Sequence, residues 1–406
     1  MKRFFRPSAR CRFSGRISKQ LFIFAAILFT VPAWAKPLPL GSPEKADVSA
    51  ERLAKVDGVI EAAIENGNLP GGVLVVGRHG KIVYQKAYGN RAVEPEKEPT
   101  TLDTIYDMAS LTKVIATTTA MMTLAEQGKL RFDDPVRLYV PQFDRKDKRE
   151  LRLRHLLTHS SGLPAWDKYF EKFPERHARA KIIDDIASKT LSPEPGKEFR
   201  YSDLNFITLG QVVETVSGEN LDEYTHRMIF GPLGMNDTRF NPPEELWSRC
   251  APTEKRDGKF IRGQVHDGNA WVQDGLSGHA GLFSTGSDLA IFAQMLLDKG
   301  QYGGVRILSP ATVKAMTRPQ LVLEGKEMRG YGWDIGSPYS SLRGDFMPAG
   351  GFGHTGWTGT SIWVSPQLDC FVIFLSNAIH PAYNESKGVV RLRALISNVV
   401  VSSIER

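Results

Sequence analysis

Cysteine is scarce in this sequence, which excludes a disulfide-stapled scaffold. Three of the 406 residues are cysteine, and Cys11 lies in a basic N-terminal stretch, which leaves Cys250 and Cys370 for a folded body. Two cysteines so far apart provide no compact metal-ligand spacing. Cys370 lies in an apolar strand pattern. We therefore expect two buried thiols, and one disulfide between the pair stays an alternative.

Acidic residues are absent before Glu44, whereas seven basic residues lie ahead of the apolar run 21–34. This run is shorter than the roughly 20 residues needed to span a bilayer, and Ala33-Trp34-Ala35 supplies the small residues of a cleavage site. We interpret residues 1–35 as a secretory signal peptide, so the mature protein is expected in the periplasm or outside the cell. An uncleaved inner-membrane anchor is the alternative, and membrane contact is expected only in that case. The basic residues are Lys2, Arg3, Arg6, Arg10, Arg12, Arg16 and Lys19.

A basic surplus is missing from the body of the chain. The sequence carries 52 Lys and Arg against 45 Asp and Glu, and the seven leader residues account for the whole excess. Nucleic-acid partners are therefore not expected, because phosphate binding needs a cationic surface. With 41% hydrophobic and 24% charged residues, the chain has the composition of a globular protein, and we expect one domain over 36–406.

Hydrophobic periodicity separates the ends of this domain from its middle. Near the ends, β-rich hairpins are predicted at 72–88 and 361–375, each around turn residues. The stretch 110–288 is rich in helical patterns. These features predict an α+β fold, in which an antiparallel sheet is flanked by N- and C-terminal helices and a mostly helical second lobe is inserted, with a cleft between the lobes. Helical patterns occur at 50–66, 114–127, 151–157, 182–188, 206–216, 289–297 and 387–404.

The segment Ser110-Leu111-Thr112-Lys113 starts a helical run, so Ser110 and Lys113 fall on one face near the helix N-terminus. A serine hydroxyl needs a neighbouring base at neutral pH, and a lysine desolvated by apolar side chains can lose its proton and act as one. Backbone N–H groups at a helix start also stabilise developing negative charge. The pattern predicts a nucleophilic Ser110, with an N-cap serine as the alternative.

Two further polar segments can complete such a site. Tyr201-Ser202-Asp203 precedes an apolar helix, which places the tyrosine at a helix entrance, although Ser202 or Asp203 could simply cap that helix. Gly353-His354-Thr355-Gly356-Trp357 leads into the C-terminal hairpin, where a strand edge can hold an extended, peptide-like substrate.

Two competing motifs are rejected. Residues 351–356 fit G-x-G-x-x-G, but a β-rich run follows them where a dinucleotide site needs a helix. The His266-Asp267 pair and His279 lack a compact metal-ligand spacing, so no metal site is expected. His155 and His159 are expected to orient the loop that follows them.

The order Ser-x-x-Lys, then a Tyr-Ser-Asn-like tripeptide, then a basic-Thr-Gly tripeptide resembles the pattern of the penicillin-recognising serine hydrolases. The resemblance covers nearly all of 36–406, including 70–73, 156–163 and 232–235. The sequence looks most like the class C β-lactamase branch, which includes DD-carboxypeptidases, esterases and penicillin-binding protein 4B-like proteins. This resemblance implies a β-lactamase/transpeptidase-like fold and acyl transfer that requires no cofactor.

The resemblance also implies a role for each motif residue. Ser110 would be acylated, Lys113 would take or relay its proton, and Tyr201 would pass a proton to the leaving group. The backbone N–H groups of Ser110 and Trp357 would form the oxyanion hole. The substrate-binding residues would be Asp203, His354, Thr355, Gly356 and Trp357.

Two of these positions depart from the family pattern. Asp203 replaces an asparagine, so an acceptor stands where an amide could also donate. His354 replaces the lysine of many β-lactamases, which exchanges a fixed positive charge for a group expected to titrate around neutral pH. Histidine occurs at this position in some DD-carboxypeptidases and esterases of the family, which argues against efficient β-lactamase activity.

These inferences favour a periplasmic DD-carboxypeptidase that acts on D-Ala-D-Ala-type peptides, such as those of peptidoglycan. A carboxylesterase or weak β-lactamase that acts on small acyl substrates is the second hypothesis. A catalytically silent envelope protein that uses the cleft for binding is the third, and the intact set of Ser110, Lys113 and Tyr201 argues against it.

Overall fold

A computed structural model describes residues 36–382 and 388–405. The predicted signal peptide, 1–35, lies outside the described residues. Within those two stretches no helix combines the length and apolar character needed to cross a membrane.

The central layer is a six-stranded antiparallel sheet built from both ends of the domain, in the order β13-β14-β15-β1-β2-β3. Both predicted hairpins are confirmed, and the first turns through His79 and Gly80, which adopt φ of 51° and 72°. Positive φ at both central residues is what a tight hairpin turn requires. The strands are β1 Gly71–Arg78, β2 Lys81–Ala92, β3 Glu98–Pro99, β4 Tyr106–Asp107, β5 Arg239–Phe240, β6 Lys255–Arg256, β7 Lys259–Phe260, β8 Leu282–Ser284, β9 Gln301–Tyr302, β10 Val305–Arg306, β11 Leu321–Leu323, β12 Lys326–Arg329, β13 Phe352–Thr355, β14 Ser361–Ser365 and β15 Cys370–Ser376.

Helices cover both faces of this sheet, and each predicted helical segment contains a helix. The first predicted helix is interrupted at Ala54, which joins α1 to α2. The α-helices are α1 Ala50–Leu53, α2 Lys55–Glu65, α3 Thr119–Glu126, α4 Leu153–Leu157, α5 Tyr169–Lys172, α6 Arg179–Ser188, α7 Asp203–Ser217, α8 Leu221–Thr225, α9 Gly231–Leu233, α10 Gly268–Trp271, α11 Gly286–Leu297, α12 Pro310–Thr317 and α13 Gly388–Ser402. Short 3₁₀ turns occur at Glu44–Ala46, Ala109–Leu111, Val136–Leu138, Pro141–Phe143, Lys146–Lys148, Glu244–Arg249 and Ser340–Arg343, and π-helical turns at Lys113–Thr118 and His226–Phe230.

Strand β1 shows how the layers are assembled. All eight of its residues are buried. Val73 and Val75 face the core shared with the helical lobe, whereas Leu74 and Val76 face the core that α2 and α13 cover. A strand places alternate side chains on opposite faces, so a continuous apolar run suits a central strand covered on both sides. Each such side chain contributes about 1.5–3 kcal/mol when fully buried.

A smaller sheet, in the order β4-β8-β5, lies where the chain enters the helical lobe. Strand β4 ends at Asp107, directly before the turn Ala109–Leu111. The predicted nucleophile is therefore attached to a hydrogen-bonded strand. Residues 351–356 enter the antiparallel hairpin of β13 and β14, so rejection of the dinucleotide interpretation is confirmed.

Candidate active site

Ser110 lies in a 3₁₀ turn whose backbone is held in an uncommon conformation. Ala109 has φ of 45°, a region that residues with a side chain rarely adopt. The buried Asp107 carboxylate supports this turn, because it accepts the Ala109 N–H at 2.8 Å and the His266 N–H at 2.8 Å. The hydroxyl of Thr358 donates to the Asp107 carbonyl at 2.8 Å. Two distant segments, at His266 and Thr358, thus help Asp107 to fix the backbone at the nucleophile.

Lys113 is fully buried, and three oxygen atoms surround its amine. Its Nζ lies 2.9 Å from Ser110 Oγ, 3.0 Å from the His279 carbonyl and 2.8 Å from Asp203 Oδ1. The predicted approach of Ser110 and Lys113 is therefore confirmed as geometry. The expectation that burial frees the lysine of its proton is wrong. Burial opposes the charge, but Asp203 and Tyr201 outweigh it, and the pKa of Lys113 is raised above its ordinary value.

Tyr201 lies over Lys113, whose Nζ is 5.1 Å from the tyrosine ring centre. The ring also stacks on the buried His159, with centroids 4.4 Å apart. His159 Nδ1 accepts the Ser202 N–H at 3.0 Å, so the next residue in the chain is fixed to the same histidine. His159 therefore fixes the loop that carries Tyr201, which is not the loop that directly follows it in the sequence. Ser202 is the N-cap residue of α7, and Asp203 begins the helix.

His354 lies on β13, the edge strand of the main sheet, with its ring 5.9 Å from that of Tyr201. Its Nδ1 donates to the Thr355 carbonyl at 2.9 Å, which leaves the lone pair of the neutral ring on Nε2. The expectation that His354 titrates around neutral pH is wrong. Burial, with the charges of Arg329 and Lys113, holds the pKa of His354 well below 6.5. The residue is therefore neutral at physiological pH.

The edge of β13 faces the cleft as expected. Gly353 exchanges both backbone hydrogen bonds with Asp334, at 2.9 and 3.0 Å, on the side away from β14. In an antiparallel strand alternate residues direct their N–H and C=O to the same side, so the Thr355 backbone also faces away from β14. The following loop approaches the nucleophile closely, because a Cβ on Gly356 would lie 2.6 Å from the Met108 carbonyl. Only glycine fits that position.

Two cavities meet at the nucleophile and share Ser110, Tyr201 and Trp357 in their walls. The first, of about 410 Å³, is also lined by His354, Thr355 and Gly356. The second, of about 750 Å³, is lined on its other side by Asp203. Every residue predicted for the site therefore borders a cavity or, like Lys113, contacts Ser110 directly. Trp357, which is 60% exposed, stands between the two spaces.

Two arginines in the first cavity carry no sequence motif and were not predicted. Arg393, on α13, is 5% exposed and donates to the Gly356 carbonyl at 2.7 Å. Among the described residues, no carboxylate forms an ion pair with it, and burial lowers its pKa to about 10. Arg329 is 1% exposed, and its Nη1 lies 3.7 Å from Asp334 Oδ1. An arginine on the last helix reaches the site only through the tertiary fold, so no local pattern marks it.

The histidines considered for metal binding instead pair with carboxylates. His279 Nε2 lies 2.9 Å from Asp267 Oδ1, and His266 Nε2 lies 2.7 Å from Glu254 Oε2. In the described part of the chain, no cluster of three or more His, Cys, Asp or Glu side chains is suitable for a metal ion. These pairs line the second cavity and fix the segment whose His279 carbonyl contacts Lys113.

A serine in contact with a buried lysine at a helix start, next to an edge strand and beneath a tyrosine, is an arrangement typical of a serine hydrolase. The comparisons agree: the sequence profile of the Beta-lactamase family matches residues 56–395, and the chain belongs to that family. It has the β-lactamase-like fold that the resemblance implied.

Individual relatives point to the same class of enzyme. The chain is 34% identical over 373 residues to a protein of Escherichia coli O157:H7 named putative D-alanyl-D-alanine carboxypeptidase, covering 84% of this chain and 85% of the relative. It is 32% identical over 412 residues to N-acetylmuramyl-L-alanine amidase of Bacillus subtilis strain 168, covering 89% and 92%. The solved structure of EstCE1, a hydrolase with promiscuous acyltransferase activity, superposes with a TM-score of 0.69 at 26% identity, covering 86% and 99%.

Proposed function

We propose that this protein is an exported DD-carboxypeptidase that cleaves D-Ala-D-Ala-type peptides through an acyl-enzyme on Ser110. Family membership supports a serine hydrolase, and the relatives named as carboxypeptidases favour this substrate. Export is proposed from the basic and apolar pattern of residues 1–35.

The observation that carries the proposal is the buried cation at Arg393. A guanidinium taken out of water without an ionic partner is costly, so such a group usually meets an anion in the functional state. Arg393 and Arg329 line the same cavity as the Thr355 edge, next to Ser110. A peptide that ends in a free carboxylate brings an anion to this cavity, while its last amide bond lies at Ser110. An exopeptidase therefore suits the charge of the cavity.

The chain's own groups can carry the reaction. Ser110 Oγ attacks the carbonyl carbon of the penultimate residue, and the terminal D-Ala leaves as a free amine after it receives a proton. The Ser110 and Trp357 backbone N–H groups are the proposed donors to the oxyanion, and Lys113 and Tyr201 are the groups that manage protons. Water then attacks the acyl-Ser110 ester and releases the shortened peptide with a new carboxylate.

A carboxylesterase is the second candidate. EstCE1 is 26% identical in sequence to this chain, and the structural match covers 99% of EstCE1. Its name describes a hydrolase with promiscuous acyltransferase activity. The exposed Trp357, with Tyr339 at 50% exposure, gives the cleft an apolar rim that suits small acyl groups. An esterase would not depend on Arg393, since ester substrates need no free carboxylate.

One comparison separates the two candidates. An N-acylated peptide ending in D-Ala-D-Ala is offered as the free acid and as the C-terminal amide, with a nitrophenyl ester in parallel. We expect release of D-Ala from the free acid only, and Arg393→Gln should raise the KM for that peptide at least about tenfold, as expected when a charged group loses its partner. The same substitution should change the KM for the nitrophenyl ester much less. Equal cleavage of free acid and amide would contradict the proposal.

A further inference from the structure

The resting charge of the site depends on the contact between Lys113 and Asp203. Asp203 stands where the family pattern has an amide, and its Oδ1 lies 2.8 Å from Lys113 Nζ. The lysine is fully buried, and the Asp203 side chain is 19% exposed. A carboxylate in this position stabilises an ammonium ion far more than an amide would, because charge interactions are weakly screened inside a protein.

The remaining contacts of Lys113 suit the same state. Lys113 Nζ donates hydrogen bonds to Ser110 Oγ and the His279 carbonyl, and it forms an ion pair with Asp203 Oδ1. A neutral amine has two donors, enough for the two hydrogen bonds, but it would leave the Asp203 carboxylate without a cation. The carboxylate therefore favours the ammonium ion.

Besides Asp203, the acidic group that faces Lys113 is the Tyr201 hydroxyl, which also raises the pKa of the lysine. Tyr201 lies over Lys113, and His159 and His354 are each buried and affected by its charge. Both histidines have pKa values held well below 6.5 by burial, so they stay neutral. Arg329 lies 6.0 Å from the Tyr201 ring and adds positive charge. Among the described groups that face Lys113, Asp203 is thus the one carboxylate in contact.

We propose that Asp203 is a positioning residue that holds Lys113 as an ammonium ion in the resting enzyme. In this state Lys113 donates a hydrogen bond to Ser110 Oγ and cannot take its proton. The proton of Ser110 passes to the Tyr201 oxygen as Tyr201 gives its own hydroxyl proton to the leaving amine, so no net base is consumed. Lys113 supplies positive charge to this relay. The inference rests on the proposed acyl-enzyme chemistry and deepens it.

The test is the pH dependence of kcat/KM for a nitrophenyl ester, which needs neither the carboxylate nor the peptide. Asp203→Asn keeps the shape of the side chain and removes its charge. If Lys113 acts as an ammonium ion, the alkaline limb of the profile moves to lower pH. A fall of one unit in the pKa of Lys113 gives about a tenfold loss of activity relative to the parent at pH values above the limbs of both proteins. The change at pH 6 should be much smaller.

A change in the acid limb of the pH profile would instead support the alternative, in which neutral Lys113 is the base. If neutral Lys113 were the base, Asp203→Asn would move the acid limb to lower pH and raise activity near pH 7, which overturns the proposal. An unchanged profile also overturns it. Asp185→Asn is the matched control, because it removes a carboxylate that lies 3.0 Å from Lys189 in another lysine pair, and its profile should follow the parent.

A second measurement does not require the variant to fold. NMR of the parent protein labelled with ¹⁵N-lysine, with Lys113→Arg to assign the signal, reports the protonation state directly. An ammonium signal that persists at pH 9 supports the proposal, and a neutral amine there overturns it. Failure of the peptide to react would contradict the carboxypeptidase proposal and leave both readouts of Lys113 intact.

Discussion

His159 is a buried side chain that positions Tyr201 without reacting itself. It packs against Tyr201 through its ring and accepts the Ser202 N–H through Nδ1. Since burial keeps it neutral, it fixes the tyrosine loop without adding charge to the site. A buried N–H that loses its acceptor costs about 1–3 kcal/mol, so the loop should respond to loss of this one bond.

Two substitutions of His159 separate its hydrogen bond from its ring. His159→Asn retains an acceptor near Nδ1, and His159→Phe retains a ring. We expect His159→Phe to lower kcat for ester hydrolysis about tenfold with little change in KM, and His159→Asn to retain more activity, because the bond to Ser202 sets the loop position. Steady-state kinetics provide the measurement. The reverse order of the two variants would contradict this role.

Contacts between residues that are close in the sequence were predictable, whereas the protonation states of the same residues were not. Ser110 and Lys113 are neighbours along the chain, so their contact follows from helical spacing. The charge of Lys113 and the neutrality of His354 depend on Asp203 and Arg329, which the fold alone brings close. Arg393 was missed for the same reason, since α13 reaches the Gly356 carbonyl only in the folded chain.

At the scale of elements, the turn at Ala109–Leu111 depends on Asp107. Replacement by alanine leaves the Ala109 and His266 N–H groups without an acceptor, and we expect a loss of about 2–4 kcal/mol in the free energy of unfolding together with loss of Ser110 reactivity. Asp107→Asn keeps one acceptor oxygen and should lose less. Urea denaturation and labelling by a serine-reactive probe measure the two effects. If the alanine variant were as stable as the parent, the proposed role of Asp107 in this turn would be wrong.

The start of α4 should make stability depend on pH. His155 accepts the Arg152 N–H at 3.2 Å, and burial, with Arg154 and Arg152, lowers its pKa to about 4. The unfolded chain therefore binds the proton more tightly, so the stabilisation is complete above about pH 6.5 and is lost as the pH falls toward 4.

Replacement of His155 by glutamine tests this. Glutamine at this position can still reach the helix N-cap, so His155→Gln should match the parent at pH 7. At pH 5 the variant should lose about 1 kcal/mol less of its unfolding free energy, a value reduced for partial exposure. Denaturant titrations at both pH values provide the comparison. A loss on acidification as large as that of the parent would contradict the assignment.

Helices and strands were predictable where the hydrophobic pattern extended over many residues. The hairpins and long helices follow from periods of two and about 3.6 residues, which the folded chain preserves. Two-residue strands such as β4 and β5 are too short to show a period, although β4 carries the backbone into Ser110. Nor does periodicity distinguish the π-helical turn at Lys113–Thr118 from the predicted α-helix.

At the scale of the whole molecule, the main sheet separates two apolar cores. Cys370 lies in the core beneath α2 and α13, and Cys250 lies in a small cluster with Ile105 and Phe283. Both thiols are free and buried, as expected, and burial raises the pKa of each to about 12. The disulfide alternative is therefore not observed.

This arrangement predicts the reactivity of the thiols. Cys250 and Cys370 should resist a thiol reagent in the native protein and react fully in denaturant, because a buried thiol with a raised pKa forms little thiolate. Peptide mapping after labelling assigns each site. A shift of Tm on addition of a reducing agent, or labelling of either cysteine in the native state, would contradict the assignment of both as free, buried thiols.

The central claim is that Ser110 is the activated nucleophile of this fold. The most direct measurement is labelling with a fluorescent active-site serine probe, followed by peptide mapping, in the parent and in Ser110→Ala. We predict one labelled peptide, modified at Ser110, and loss of labelling in the variant. Modification of another serine, or labelling of Ser110→Ala as strong as that of the parent, would contradict the claim.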